Sequence, residues 1–360
     1  MKIAQIAPPW ISIPPQNYGG TETIIASIVE ELVALGHDVT LFASGDSKTS
    51  AKLVSFYPQS LMAQGVPWLA HLKAYYHLAR SIEQAGQFDI IHTHLSSTAD
   101  MYMFPEMARI TTPHVTTMHS NFPFDRVNDW IGDADDLFLD WIRPAPLVTV
   151  SHRAKQNLPY ALNVAGVVHL GVPMADYRFC PEAPKPYVAW LGRFAPEKGA
   201  HLAIEAACRA GVAIVLAGII EHNFPRSVEY YKTEIEPHLN GDTVRYIGPV
   251  NLAQKVELLG RARALLNPIQ WEEPGATVVL EAMALGCPVI GFARGVVPEL
   301  ILDGRTGFLV DTVEEMVARI ARIDEIDRLT THRHVNENFS ARAMAEKYLR
   351  IYQALQPGQG

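Results

Sequence analysis

The sequence predicts an α/β protein built from two doubly wound halves, each around a parallel sheet. Short β-branched runs alternate with segments of helical period, which is the pattern of βαβ units. The alternation runs through twice, and 360 residues exceed what one hydrophobic core ordinarily serves. Between the two rounds lies Cys180-Pro181-Glu182-Ala183-Pro184-Lys185-Pro186, whose prolines favour an extended linker. The boundary is therefore expected at about 172–186, with domains over 1–172 and 173–339.

In chain order, a first strand is expected at 2–7, because the apolar run after Met1 meets Pro8-Pro9 at once and is too short for a signal peptide. A helix over 21–36 follows the glycines Gly19-Gly20. Strands are expected near 38–43, 89–92, 114–118 and 147–151, with helices at about 67–86 and 97–109. The second round repeats the scheme, with strands near 187–191, 212–217, 243–247, 264–268 and 288–292 and helices near 197–210, 227–238, 252–261 and 276–285. The apolar run at 276–293 is about long enough to span a membrane, but Glu281, Gly286 and Pro288 divide it into helix, turn and strand. A last helix is expected over 341–355: Ser340 can cap it, Phe339 and Met344 can staple its first turn, and Met344, Tyr348, Ile351, Tyr352 and Leu355 share one face.

Composition excludes several classes. With 48% hydrophobic and 19% charged residues the chain is neither disordered nor fibrous, and a net charge of −8 gives no global footprint for nucleic acid. Cys180, Cys208 and Cys287 are odd in number and far apart, so they predict neither a disulfide framework nor a metal cluster and suit a reducing cytoplasm. On the 67–86 helix His71, Lys73, His77 and Arg80 can meet anionic lipid as a peripheral contact, but four cations are too few to predict one.

The chemistry is concentrated in a few places. Glu281 sits inside an almost wholly apolar run, and an ionised carboxylate there needs an internal partner or a ligand. Glu273 lies eight positions earlier, and the intervening Pro274-Gly275-Ala276-Thr277 reads as a loop opening a helix, with Thr277 or Gly275 near its cap. Free N–H groups at that helix start make a site for phosphate. The run Trp190-Leu191-Gly192-Arg193-Phe194-Ala195-Pro196-Glu197-Lys198-Gly199 ends a strand and starts a helix, so Arg193 and Lys198 stand where ligands of parallel sheets bind. Arg193 can grip a phosphate bidentately and Lys198 adds a compact charge.

In the first half Gly19-Gly20-Thr21-Glu22 opens a helix without the G-x-G-x-x-G pattern, which disfavours a nicotinamide cofactor. His119 follows a strand at its carboxyl end. His92 and His94 share one side of a strand, but a zinc site lacks a third ligand, and packing near an acceptor is the expected role. Asp133-Ala134-Asp135-Asp136, beside Asp129, has an Asp-x-Asp spacing and reads as a solvated face rather than a metal site.

The Glu273 to Glu281 run resembles the donor-binding signature of the retaining family 4 glycosyltransferases, which have the GT-B fold, and the Arg193 to Gly199 run resembles that family's Gly-Arg…Glu-Lys-Gly motif. One departure stands after Pro274, where the family has Phe-Gly and this chain has Gly275-Ala276. The resemblance covers nearly the whole chain. It implies two Rossmann-like domains facing across a cleft, with the helix at 340–355 returning to the first. It implies that Arg193 and Lys198 neutralise a diphosphate leaving group and that Glu273 contacts sugar hydroxyls. Glu281 would hold the nucleotide's ribose, and His119 would hydrogen-bond the transferred sugar. Gly19 and Gly20 would face donor phosphates and acceptor, Gly275, Ala276 and Thr277 would bind the diphosphate, and the backbone near Val250 would receive the base. The implied function is a metal-independent, cytoplasmic hexosyltransferase using a nucleotide-diphosphate sugar, with UDP the expected nucleotide and no cofactor. The acceptor would be set by loops such as Asn121-Phe122-Pro123-Phe124-Asp125-Arg126. A nucleotide-sugar 2-epimerase and an inert nucleotide-sugar binding module are the alternatives.

Overall fold

The structure, a computed structural model, describes residues 1–16, 19–68, 70–121, 134–182, 184–222 and 224–356. It divides into two compact units, one made of Met1–Gly171 with Ala341–Gly360 and the other of Val172–Ser340.

The first unit is a parallel sheet of β1 (Lys2–Ile6), β2 (Asp38–Phe42), β3 (Lys52–Val54), β4 (Ile90–Leu95), β5 (His114–Met118), β6 (Leu147–Thr149) and β7 (Val164–Val167), ordered β3-β2-β1-β4-β5-β6-β7. Every pairing is parallel, which is why the strands read as near-continuous apolar runs rather than alternating ones. Its helices are α1 (Gly20–Ala34), α2 (His71–Ile82), α3 (Met103–Met107), α4 (Ala134–Ile142) and α5 (His152–Gln156). α1 buries Ile24, Ile25, Ile28, Val29 and Leu32, a stripe at helical spacing. The C-terminal helix Ala341–Leu355 belongs to this unit, with Met344, Ala345, Tyr348 and Tyr352 buried.

The second unit repeats the plan with β8 (Tyr187–Arg193), β9 (Ala213–Ile219), β10 (Val244–Tyr246), β11 (Leu265–Asn267), β12 (Val289–Phe292) and β13 (Gly307–Val310), ordered β10-β9-β8-β11-β12-β13. The helices are α6 (Ala200–Arg209), α7 (Pro225–Tyr230), α8 (Leu252–Arg261), α9 (Thr277–Ala284), α10 (Val297–Leu300), α11 (Val313–Ile320) and α12 (Arg328–Asn338). In both units the order reverses beside the first strand, at β1/β4 and at β8/β11. The carboxyl ends of these strands are the switch points where doubly wound sheets bind ligands. No described helix is long and apolar enough to cross a membrane.

Several expectations are corrected. β4 runs on to Leu95, so His94 lies within the strand, because all six of its residues are buried. The helix expected at 67–86 shortens to α2, and that at 97–109 divides into a 3-10 turn, Thr98–Tyr102, and α3, where Asp100 bonds back to Ser96 and Ser97. The helix expected at 197–210 begins instead with a 3-10 turn, Pro196–Lys198, before α6. Edge strands β3, β7 and β13 and helices α4, α5 and α10 to α12 were not anticipated; β3, β7, β13, α5 and α10 have three to five residues and give little periodicity to read, and α12 has no apolar stripe.

The second unit begins at Val172, so the stretch expected as an extended linker, 180–186, lies within it, tied by Cys180 N to Leu285 O (3.2 Å) and Lys185 N to Arg261 O (2.8 Å), and Val172 N donates to Phe339 O at 3.0 Å. Nor is His77 a surface cation. It is buried with Nε2 3.0 Å from Ala7 O, and burial pushes its pKa down to about 4, so it carries no charge toward a lipid. Of the acceptor loop, residues 122–126 lie outside the described residues, as do Asp129 and Asp133; Asp135 and Asp136 fall in the first turn of α4.

Candidate functional site

In the second unit the strand β8 delivers Arg193 at its carboxyl end, and the chain turns through Pro196–Lys198 into α6. Across the switch point, the segment after β11 carries Gln270 to Thr277 into α9. Three bonds lock these loops together: Gln270 N to Glu197 O (2.8 Å), Gln270 Nε2 to Pro196 O (2.6 Å) and Lys198 Nζ to Glu273 Oε1 (2.5 Å). Lys198 also lies 5.4 Å over the Trp271 ring, and Trp190 Nε1 donates to Lys198 O at 3.2 Å. Its ammonium is thereby held in one place, where a free lysine would lose rotamer entropy on binding. Arg193 is held by Glu221 at 2.6 Å and lies 3.8 Å from Glu197. Glu221 gave no sequence signal, because it sits beyond β9 and reaches Arg193 only through the pairing of β8 with β9.

The N-cap of α9 is Ala276, which has no side chain able to cap, and no side chain bonds the first turn. Val279 N already donates to Ala276 O at 3.1 Å, while the N–H groups of Thr277 and Val278 make no hydrogen bond to another described residue, an arrangement suited to phosphate. The helix ends with Gly286 N to Met283 O and Cys287 N to Ala282 O, both 2.9 Å, which closes it before β12.

Glu281, on the buried side of α9, has partners that the sequence left open: Tyr177 Oη donates to its Oε1 at 2.7 Å and Lys255 Nζ reaches the same oxygen at 2.6 Å. Burial and the Glu281 carboxylate push the Tyr177 phenol well up, so it stays a donor. Both contacts use Oε1, so Oε2 has no hydrogen-bond partner among the described residues. The carboxylate is therefore structural through one oxygen and available through the other. Val250 follows β10 in a half-buried turn, where Gly248 O accepts from Gly218 N at 3.1 Å.

Gly295 was not anticipated and supports Glu273 directly. It has φ +56°, and a Cβ there would stand 2.3 Å from Glu273 O and 2.4 Å from Glu273 N, while its own N–H donates to Glu272 Oε2 at 3.1 Å. Gly295→Ala is expected to cost about 3 kcal/mol through the left-handed backbone and the clash together, and to displace Glu273. A denaturation midpoint equal to the parent's would refute this account of the glycine.

In the first unit the switch point carries Gly19 and Gly20 after β1 and the Ser96 to Asp100 turn after β4. Gly19 is a close approach: a Cβ on it would lie 2.7 Å from Glu22 Oε2, whereas Gly20 faces open space. Glu22 is only 5% exposed and makes no hydrogen bond to another described residue; burial pushes its carboxyl up to about 7, with the Asp100 carboxylate adding to the rise. His119 follows β5, half-buried, with its N–H on Leu95 O (2.9 Å) and its Nε2 3.0 Å from His94 Nδ1. His92 and His94 are buried and hydrogen-bonded to Tyr352, Thr117, Gln5 and His119, so their lone pairs and protons have protein partners.

Two family models match the chain: one described as Glycosyltransferase Family 4 over residues 18–175, and one described as Glycosyl transferases group 1 over residues 180–341. The chain is 24% identical to spore coat protein SA of Bacillus subtilis, over 98% of this chain and 99% of that protein. Among solved structures, sucrose-phosphate synthase from Thermosynechococcus elongatus is similar with a TM-score of 0.78 at 18% identity, covering 98% of both chains. An Anabaena protein solved with UDP and glucose is similar with a TM-score of 0.72 at 17% identity, over 98% of this chain and all of that one. These structures share the fold.

Proposed function

Since this chain belongs to the family 4, group 1 glycosyltransferases, we propose that it moves a hexose from a nucleotide-diphosphate sugar, UDP-linked, to an acceptor hydroxyl with retention of anomeric configuration. The observation that carries the reading is the pair of fixed cations, Arg193 and Lys198, set at a switch point beside the uncapped start of α9. Such an array stabilises negative charge that grows on a departing diphosphate, with no reorganisation at the moment of reaction. The bond from the anomeric carbon to the diphosphate oxygen breaks, the acceptor oxygen bonds that carbon from the same face, and the acceptor's proton passes to a diphosphate oxygen. Same-face attack follows from the family resemblance.

Glu273 shares Lys198 with the donor and accepts from a sugar hydroxyl; the free oxygen of Glu281 accepts from the ribose. Ala276 and Thr277 present the α9 N–H groups, Gly275 lets the diphosphate approach, and the turn at Val250 meets the base. In the first unit Gly19 and Gly20 would face the donor phosphates and acceptor, and His119, just after β5, would hydrogen-bond the transferred sugar. Three cysteines without disulfides fit a cytoplasmic reaction.

Two cations and a helix N-terminus supply the charge that a divalent ion supplies in Asp-x-Asp enzymes, so the reaction is metal-independent. The test is transfer from a panel of UDP-, GDP- and ADP-hexoses in EDTA, with proton NMR of the first-formed product. Activity in EDTA with the donor's anomeric configuration kept is expected. Inverted product, or activity abolished by chelation and restored by manganese, would overturn the proposal.

A further inference from the structure

His119 does not stand alone in the first unit; it ends a buried line of hydrogen bonds that begins on the C-terminal helix. Gln5 of β1 donates from Nε2 to Tyr352 Oη at 3.0 Å, and its Oε1 lies 2.9 Å from His94 Nε2. His94 Nδ1 is 3.0 Å from His119 Nε2. Gln5, His94 and Tyr352 are at most 2% exposed, so no solvent competes for these bonds.

A neutral imidazole has one N–H and one lone pair, so such a line has a direction. Burial holds His92, His94 and His119 neutral at pH 7. The Gln5 carbonyl oxygen can only accept, so His94 carries its proton on Nε2 and accepts at Nδ1. His119 must then donate from Nε2, which leaves Nδ1 with the lone pair. On the other side Tyr352 Oη donates to His92 Nδ1 (2.6 Å), His92 Nε2 donates to Thr117 Oγ1 (2.7 Å), and Thr117 donates to Tyr348 Oη (2.9 Å).

We infer that Gln5, oriented by Tyr352, is a positioning residue that fixes His119 as the Nε2–H tautomer, so that His119 offers Nδ1 as an acceptor to a substrate hydroxyl. The substrate clause rests on the glycosyltransferase reading; the tautomer does not. The opposite self-consistent pattern flips the Gln5 amide, reverses every proton in the line and turns His119 into an Nδ1–H donor, which would favour a substrate carbonyl or phosphate oxygen instead.

Nitrogen-15 imidazole spectra of the full chain at pH 7 decide between the two patterns. His94 and His119 are both expected as Nε2–H tautomers, and a proton on His119 Nδ1 overturns the inference with no variant needed. Tyr352→Phe removes the acceptor that orients the amide and is expected to mix the tautomers of His119. With it, kcat/KM for transfer should fall roughly three- to tenfold, the worth of one misdirected hydrogen bond. Parent-like His119 nitrogen shifts in Tyr352→Phe would overturn the role of Tyr352. Expected tautomers in a protein that transfers no sugar would overturn the proposed function and leave the inference standing.

Discussion

Lys198→Ala is expected to lower turnover by roughly 100- to 1000-fold, the range for losing one donor that acts on developing charge, and Arg193→Ala by a similar factor. The fold should survive both, because each cation is an ion-pair partner, Arg193 at the end of β8 and Lys198 in the turn after it, rather than an apolar core residue. The structure adds a distinction between them. Removing Lys198 leaves the Glu273 carboxylate without its 2.5 Å partner, and under the proposed function an uncompensated carboxylate would then face the diphosphate. Lys198→Ala should therefore be the more damaging, and Glu273→Ala introduced on top of it should recover part of the loss in diphosphate affinity, a coupling that a double-mutant cycle measures. Turnover within a few-fold of the parent in both single variants would place the phosphate site elsewhere.

Glu281→Ala is expected to act twice. Losing the proposed ribose contact should weaken binding of the free nucleoside diphosphate by roughly tenfold or more, as for a charge-assisted hydrogen bond. Losing Oε1 strands Lys255 and the Tyr177 hydroxyl beside a buried position, and the second unit should lose about 2 kcal/mol, below the full cost of a broken buried pair because Lys255 keeps some water. Glu281→Gln retains an acceptor and should restore much of the stability but less of the affinity. Glu273→Ala should impair transfer while leaving nucleoside diphosphate affinity equal to the parent's or tighter, since Lys198 is then released to the phosphates. Calorimetric titration with UDP separates these cases; equal losses of affinity in the two alanine variants would refute the division of labour.

How much of this was legible beforehand follows from how local each signal is. β5, α8 and the C-terminal helix were placed to the residue, because His114–Met118, Leu252–Arg261 and Ala341–Leu355 each carry a full local pattern with clear ends. Arg193, Lys198, Glu273 and Glu281 were visible because motif spacing lies within a few residues along the chain. Partners were not visible. Glu221 lies just past the end of the strand beside Arg193, Lys255 and Tyr177 stand at sequence distances of 26 and 104 residues from Glu281, and nothing in their neighbourhoods marks them. Gly295 is one glycine among 24 until a Cβ is placed on it.

By itself, then, the chain's alternation of periods determined two parallel-sheet units and the closing helix, and its short motifs marked the residues proposed to meet a donor, since backbone propensity and burial pattern act over one turn or one strand. Only the tertiary structure decided what each of those side chains is held by and in which state. It paired both acceptor-type glutamates with lysines, buried His77 against Ala7, and set Glu22 against the Gly19 backbone. It also joined Gln5, His94 and Tyr352, which are 89 and 347 residues apart from Gln5 in sequence, into one directed line to His119. A hydrogen bond of that reach leaves no trace in local composition, because its geometry comes from strand order and helix packing.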